Sequence, residues 1–282
     1  VTDQGMITQN LHEEVLYIIN EAGLDYAIYA DVQADPPEHI IADAISFARQ
    51  EQIDVVIGFG GGSSLDVAKI IAVLSHPQQT QCLNELYGID QIEGPRLPLI
   101  LIPTTAGTGS EVTPISIVTT GETTKTGIVS PLLFADIAIL DASFTRGLPK
   151  HITAATGIDA MVHAIEAYTS KIKKNPYSDM LAKQALKLLN NNLTRVLDDG
   201  DDLEARQNML VGSMLAGQAF ANAPVAAVHA LAYPLGGHCH LSHGHSNTLV
   251  LCEVLKFNAP VTETLYAELM QAINPNAKGS TS

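Results

Sequence analysis

Positive charge is scarce in this chain: 15 Lys and Arg face 30 Asp and Glu across 282 residues, a formal net charge of −15. A nucleic-acid backbone or an anionic membrane surface is repelled on average by such a balance, so neither is an expected partner, although a local patch can still take an anion. Cysteine is scarce too. Cys82, Cys239 and Cys252 show no paired spacing and no C-x-x-C, which excludes a disulfide framework read from spacing. No signal peptide and no run of about 18 apolar residues is present, and there are no internal repeats or low-complexity tracts. The expected compartment is the cytoplasm.

What the chain does have is core. With 46% hydrophobic and 16% charged residues, it suits one compact α/β unit or two smaller domains sharing an interface. Strand-like and helix-like stretches alternate through the first half, with a helix ending at 16–22, a strand at 26–29, a helix at 38–51, a buried strand at 54–59 and a further strand at 98–103. Alternation of this kind predicts a parallel sheet. Shorter β-branched runs at 115–119 and 137–140 predict a hairpin and a return strand. From Lys150 onward the periodicity is helical, at 153–169, 177–190, 203–222, 226–233 and 263–273, so the boundary is placed near Pro149, dividing 1–149 from 150–282. The closing 274–282 reads as a loose tail.

Two regions carry chemistry. The first follows the strand at 54–59, where Gly60, Gly61, Gly62, Ser63 and Ser64 form a tight turn into a helix at 65–74. Glycines admit a bulky anion close to the backbone, and the first free N–H groups of a helix point at it with the positive end of the dipole. The spacing is not G-x-G-x-x-G, so taken alone the turn reads equally as a phosphate site or as a plain strand-to-helix connection. The hydroxyl-rich loop Thr104 to Glu111, at the carboxyl end of a strand, is similarly open between capping and ribose or phosphate contact. Lys125, in a glycine-flanked turn, reads first as a solvated lysine.

The second region is a set of metal-ligand types. Asp159 and His163 stand four positions apart on an otherwise apolar helix that also carries Glu166, so a carboxylate and an imidazole share one face. By itself this pair fits a satisfied core Asp–His contact. The segment from His229 to His245 changes the balance, because His229, His238, His240, His243 and His245 crowd into it, beginning on a helix and continuing into a glycine-containing loop. That density favours a divalent cation held by imidazoles and a carboxylate, with room left for an exogenous oxygen. Cys239 lies within it and reads as a buried spectator thiol rather than a ligand.

Read together, Gly60 to Lys69, Pro103 to Glu111, Ala155 to Glu166 and His229 to Gly244 resemble, in order and over nearly the whole chain, the iron-containing alcohol dehydrogenase family, including its lactaldehyde reductase and 1,3-propanediol dehydrogenase types. The resemblance implies an N-terminal α/β nucleotide-binding domain with a parallel sheet and an all-α metal-binding domain, a dehydroquinate synthase-like fold, with the active site in the cleft between the domains. It implies Asp159, His163, His229 and His243 as ligands of Fe(II), with zinc able to compete. It places the pyrophosphate of NAD on Gly61, Gly62 and Ser63 with Asp66 nearby, Thr104 and Thr105 on the cofactor, and Lys125 near a ribose. Asp3 corresponds to the acid that accepts adenosine ribose hydroxyls, which favours NAD over NADP; its alternative is to cap the next helix.

The implied activity is hydride exchange between a small alcohol or aldehyde and nicotinamide, in a homodimer. Two departures accompany it. Relatives carry a second histidine one turn after the third ligand, implicated in proton relay, where this chain has Tyr233; Tyr233, His238, His243 and His245 are the candidates for proton handling. Family members also begin earlier and continue through further helices, so the chain is expected to be incomplete at both ends. The rival readings are a dehydroquinate synthase-like lyase and a non-catalytic nucleotide-binding fragment.

Overall fold

The computed structural model describes residues 1–239 and 241–274; His240 and the stretch 275–282, where a tail was expected, lie outside the described residues. The chain divides into two compact units. One comprises 1–104 and 110–144, the other 105–109 and 145 onward. The short loop 105–109 therefore belongs with the helical unit although the chain on either side of it does not.

In the first unit the helices α1 (Gln4–Thr8), α2 (His12–Glu21) and α3 (Glu38–Gln50) precede strand β1 (Val56–Gly60), helix α4 (Gly62–Leu74) and strands β2 (Gly88–Ile89), β3 (Leu99–Pro103), β4 (Ile115–Thr120), β5 (Thr124–Val129) and β6 (Ile137–Ala138). A parallel sheet runs in the order β1, β3, β6, with Val56 opposite Leu99 and Ile100 opposite Ile137. β4 and β5 form an antiparallel hairpin, and β2 joins β5 in parallel. α4 is the crossover between β1 and β3, and almost every side chain it carries is buried, Lys69 included, as the helix of a crossover with an apolar run from Ile70 to Leu74 requires. α3 instead buries one stripe, Ile40, Ile41, Ala44, Ile45 and Ala48.

The strand expected at 26–29 does not form. Only its end is engaged, where Thr2 N–H donates to the Tyr29 carbonyl at 2.9 Å and Val32 N–H to the Thr2 carbonyl at 3.4 Å, too few bonds for a ladder.

The second unit is helical: α5 (Lys150–Thr169), α6 (Pro176–Asp198), α7 (Leu203–Asn222), α8 (Ala227–Cys239) and α9 (His243–Ile273). α6 starts where it does because Asn175 and Ser178 form a reciprocal capping box with proline at the first helical position, and Asp202 caps α7 through the Ala205 N–H. Ala164, Ala167, Tyr168, Leu186, Ala216 and Leu269 lie in a core drawn from α5, α6, α7 and α9.

Two helices run longer than expected. α8 continues past Tyr233 through Pro234, Gly236 and Gly237, and α9 begins at His243 and passes through Pro260. The glycines placed in a loop on sequence grounds are thus helical, and packing outweighs their propensity. Among the described residues no single helix is long and apolar enough to cross a membrane.

Candidate metal centre

α5 carries Asp159 and His163 on one buried face, α8 brings His229, and α9 opens with His243. One donor atom from each of these four side chains lies within 4.8 Å of all the others. Asp159, His163 and His229 are buried, whereas the His243 side chain is 36% exposed, so solvent reaches the quartet on that side. The Asp159 Oδ1 stands 3.5 Å from Nε2 of His243 and 3.9 Å from Nε2 of His229.

Rings and glycines fix these positions. His163 stacks on His229 with centroids 4.6 Å apart and, on its other face, on Phe220 of α7 at 4.5 Å. Gly244 lets α9 approach α5, since a Cβ there would stand 2.3 Å from the Ala155 carbonyl oxygen. The loop 105–109 presses on the same unit: Gly107 lies against Thr156, and Gly109, at φ +60°, against the backbone of Gly217.

Burial works to raise the Asp159 carboxyl, but the imidazoles of His243, His163 and His229 and a hydrogen bond from Asn247 outweigh it, so the group ionises below its ordinary range. Burial pushes His163 down to about 3, so its ring is neutral near pH 7 and offers a lone pair. For Glu166, burial works to raise the carboxyl, but the hydrogen bond with His229 and the backbone N–H groups of Ala226 and Val228 outweigh it, so the group ionises below its ordinary range.

Three residues framing the quartet have no assigned role in the sequence reading. Glu166 accepts from Nδ1 of His229 at 2.7 Å. Asn247, fully buried on α9, donates its amide to Asp159, and Phe220 stacks on His163. Asn247 carried one available signal: it stands one turn after His243, on the same helix face.

The proton-handling candidates are spread out. Tyr233 stacks on His243 at 6.0 Å between centroids, while His238 and His245 are exposed and outside the quartet. Cys239 is exposed rather than buried.

In the first unit, Gly61 caps α4 without any side-chain hydrogen bond, and Gly62 and Ser63 are its first residues, so the leading N–H groups lack helical acceptors. Gly60, at φ +150°, has no room for a Cβ, which would stand 2.7 Å from Ser64 Oγ. Asp3 caps α1 through the Gly5 and Met6 N–H groups, the alternative weighed above, and its other oxygen accepts from Ser64 at 3.3 Å, which puts it beside the glycine turn.

The remaining cofactor candidates have internal partners or none. Asp66 accepts from Ser110 Oγ at 2.5 Å and from the Ile117 N–H at 2.9 Å, with buried Lys69 3.6 Å away. Lys125 pairs with Asp35 at 2.8 Å and donates to Thr119 at 2.9 Å. Among the described residues the buried Thr104 hydroxyl has no hydrogen-bond partner, and Thr105 is half-buried.

Comparison with known proteins places these features in a family. Residues 1–142 match the model of the iron-containing alcohol dehydrogenases, and residues 153–282 match that of the family's C-terminal domain. The chain belongs to the iron-containing alcohol dehydrogenase family.

Among relatives of this dehydrogenase family, the chain is 43% identical to long-chain-alcohol dehydrogenase 1 of Geobacillus thermodenitrificans over 98% of its own length and 70% of that protein. It is 35% identical to the NAD-dependent methanol dehydrogenase of Bacillus methanolicus, covering 99% of this chain and 73% of that one. A crystal structure of a 1,3-propanediol oxidoreductase superposes with a TM-score of 0.94 at 36% identity, over 99% of this chain and 72% of the other.

Iron-containing alcohol dehydrogenases use NAD and iron, and the quartet fits such a metal. One carboxylate oxygen and three imidazole nitrogens form a borderline donor set suited to Fe(II) or Zn(II).

Proposed function

We propose that this chain interconverts a small primary alcohol and its aldehyde by hydride exchange with NAD(H), at an Fe(II) site formed by Asp159, His163, His229 and His243. The observation that carries the reading is the convergence of those four donors within 4.8 Å, three of them buried and the fourth open to solvent. When bound, the cation supplies Lewis-acid stabilisation of the negative charge that develops on the alcohol oxygen.

The chain's own residues do the rest. The unsatisfied N–H groups of Gly62 and Ser63, with Gly61 at the cap, hold the pyrophosphate at the positive end of α4. Asp3 takes the adenosine ribose hydroxyls, which disfavours a 2′-phosphate there. Thr104 and Thr105 contact the cofactor, and Lys125 approaches a ribose. Asp66 anchors the 110–117 segment from within α4, so its part in cofactor binding is to shape the turn. When bound, NAD would supply the hydride acceptor for the carbinol carbon, and the hydroxyl proton would be released. That proton leaves on the exposed side of the quartet, where Tyr233 stacks on His243.

The test is NADH oxidation with a panel of short aldehydes, with and without added Fe(II) or Zn(II). Metal-dependent turnover is the expected result. NADH binding without turnover would identify a nucleotide-binding fragment, and phosphate release from a phosphorylated sugar acid would identify the lyase. Sedimentation of the purified protein tests the homodimer, and fractionation of the source cells tests the cytoplasmic assignment.

A further inference from the structure

We infer that Glu166 is a positioning residue of the metal site: accepting from Nδ1 of His229, it presets that ring so that Nε2 faces Asp159 and His243. The inference rests on the metal reading above and deepens it.

Glu166 lies on the stripe of α5 that carries Asp159 and His163, so one helix face presents two ligands and the carboxylate that organises a third. It is 4% exposed. Its two oxygens receive three donors: Nδ1 of His229 at 2.7 Å and the Ala226 N–H at 2.9 Å on Oε2, and the Val228 N–H at 2.6 Å on Oε1.

A backbone N–H on each oxygen holds Glu166 as an acceptor, and Nδ1 of His229 completes the set as the third donor. Nδ1 of His229 therefore carries the ring proton and Nε2 keeps its lone pair, the form a metal requires. The opposite tautomer would set a lone pair against a buried carboxylate and aim an N–H into the quartet. The two backbone bonds come from the start of α8, so Glu166 fixes both the position of the helix that supplies His229 and the rotation of the ring. Carboxylates that brace a ligating imidazole in this manner typically contribute about ten- to a hundredfold in metal affinity.

A purely structural tie between α5 and α8 would need only the backbone bonds, and the two roles separate by experiment. Co(II) is titrated into chelator-stripped parent, Glu166→Gln and Glu166→Asp proteins in competition with a chromophoric chelator, and NADH binding and chelated-state melting temperature are recorded for each. The expected result for Glu166→Gln is a loss of Co(II) affinity of about ten- to a hundredfold with NADH affinity unchanged; Glu166→Asp, which keeps the charge, recovers part of it. Unchanged Co(II) affinity in Glu166→Gln, with a lowered melting temperature, overturns the inference and leaves a structural tie. A parent that binds no Co(II) removes the metal reading and this inference together, whereas failure confined to the variant comparison removes only this one. Should Glu166→Gln not fold, nitrogen-detected histidine NMR of the stripped parent decides: a protonated Nδ1 and bare Nε2 on His229 support the assignment, and the reverse overturns it.

Discussion

The side-chain nitrogen of Asn247 donates to Oδ1 of Asp159 and lies 3.3 Å from Nε2 of His243 and 3.4 Å from Nε2 of His229. The amide N–H is the positive end of a dipole facing the Asp159 carboxylate. Replacing it with alanine leaves a buried carboxylate without its donor, which costs about 1–3 kcal/mol. Asn247→Ala should therefore melt earlier than the parent in chelator, with most of the deficit recovered on adding Zn(II). Asn247→Asp, which sets a second carboxylate beside Asp159, should show a still wider gap between chelated and metal-loaded melting temperatures. Equal gaps in parent and both variants would refute this account.

On the proposed reading His243 is the solvent-open member of the quartet, and its removal tests metal binding apart from nucleotide binding. His243→Ala is expected to lose bound metal, measured by elemental analysis, while NADH affinity stays within about twofold of the parent. Equal metal content in variant and parent would remove His243 from the ligand set.

Gly244 permits the close passage of α9 over α5. A methyl group there meets the Ala155 carbonyl oxygen at 2.3 Å, and main chain cannot rotate aside as a side chain can. Gly244→Ala is predicted to cost about 1–3 kcal/mol in urea unfolding and to weaken metal binding, because relieving the clash lifts the adjoining His243 from Asp159. A variant as stable as the parent with full metal affinity would contradict the packing described.

Glu111 supplies a pH signature of its own. Burial pushes its carboxyl from 4.5 up to about 7, against smaller opposing effects of its own backbone N–H and of Lys69. Between those values the unfolded chain has released the proton that the folded chain keeps, so stability falls as pH rises across that window and this contribution levels off above it. The shift corresponds to a change on the order of 3 kcal/mol. Glu111→Gln should flatten the slope of unfolding free energy between pH 4.5 and 7. Some slope persists, since Asp66 is raised by burial in the same direction. A variant whose slope matches the parent's would show that Glu111 ionises normally in the fold.

What the sequence disclosed followed from periodicity and residue type. The apolar run at 54–59, the glycines after it and the four-residue spacing of Asp159 and His163 each have a local cause, and β1 and the shared face of α5 appear where those causes place them, whereas α4 begins at Gly62, inside the stretch read as a turn. Features set by tertiary packing were not legible. Gly236 and Gly237 are helical despite their propensity, and the stretch at 26–29 lacks a partner for a full ladder. His238 and His245 raised the imidazole density without joining the quartet, because their helices turn them to solvent. Glu166 was visible only as part of a polar stripe, since its partner lies 63 residues along the chain. Asn247 looked like an ordinary polar position in α9, and the amide's target became apparent only with Asp159 beside it.

On the proposed metal reading, the unequal burial of Asp159, His163, His229 and His243 also implies an order of events. Three of the donors are sealed in the interior and His243 alone meets water, so a departing ion must first break with that imidazole, and an arriving one meets it first. Exchange kinetics would then be governed by the freedom of a single side chain at the head of α9, and restraint of its ring by Tyr233 would slow loading and loss alike.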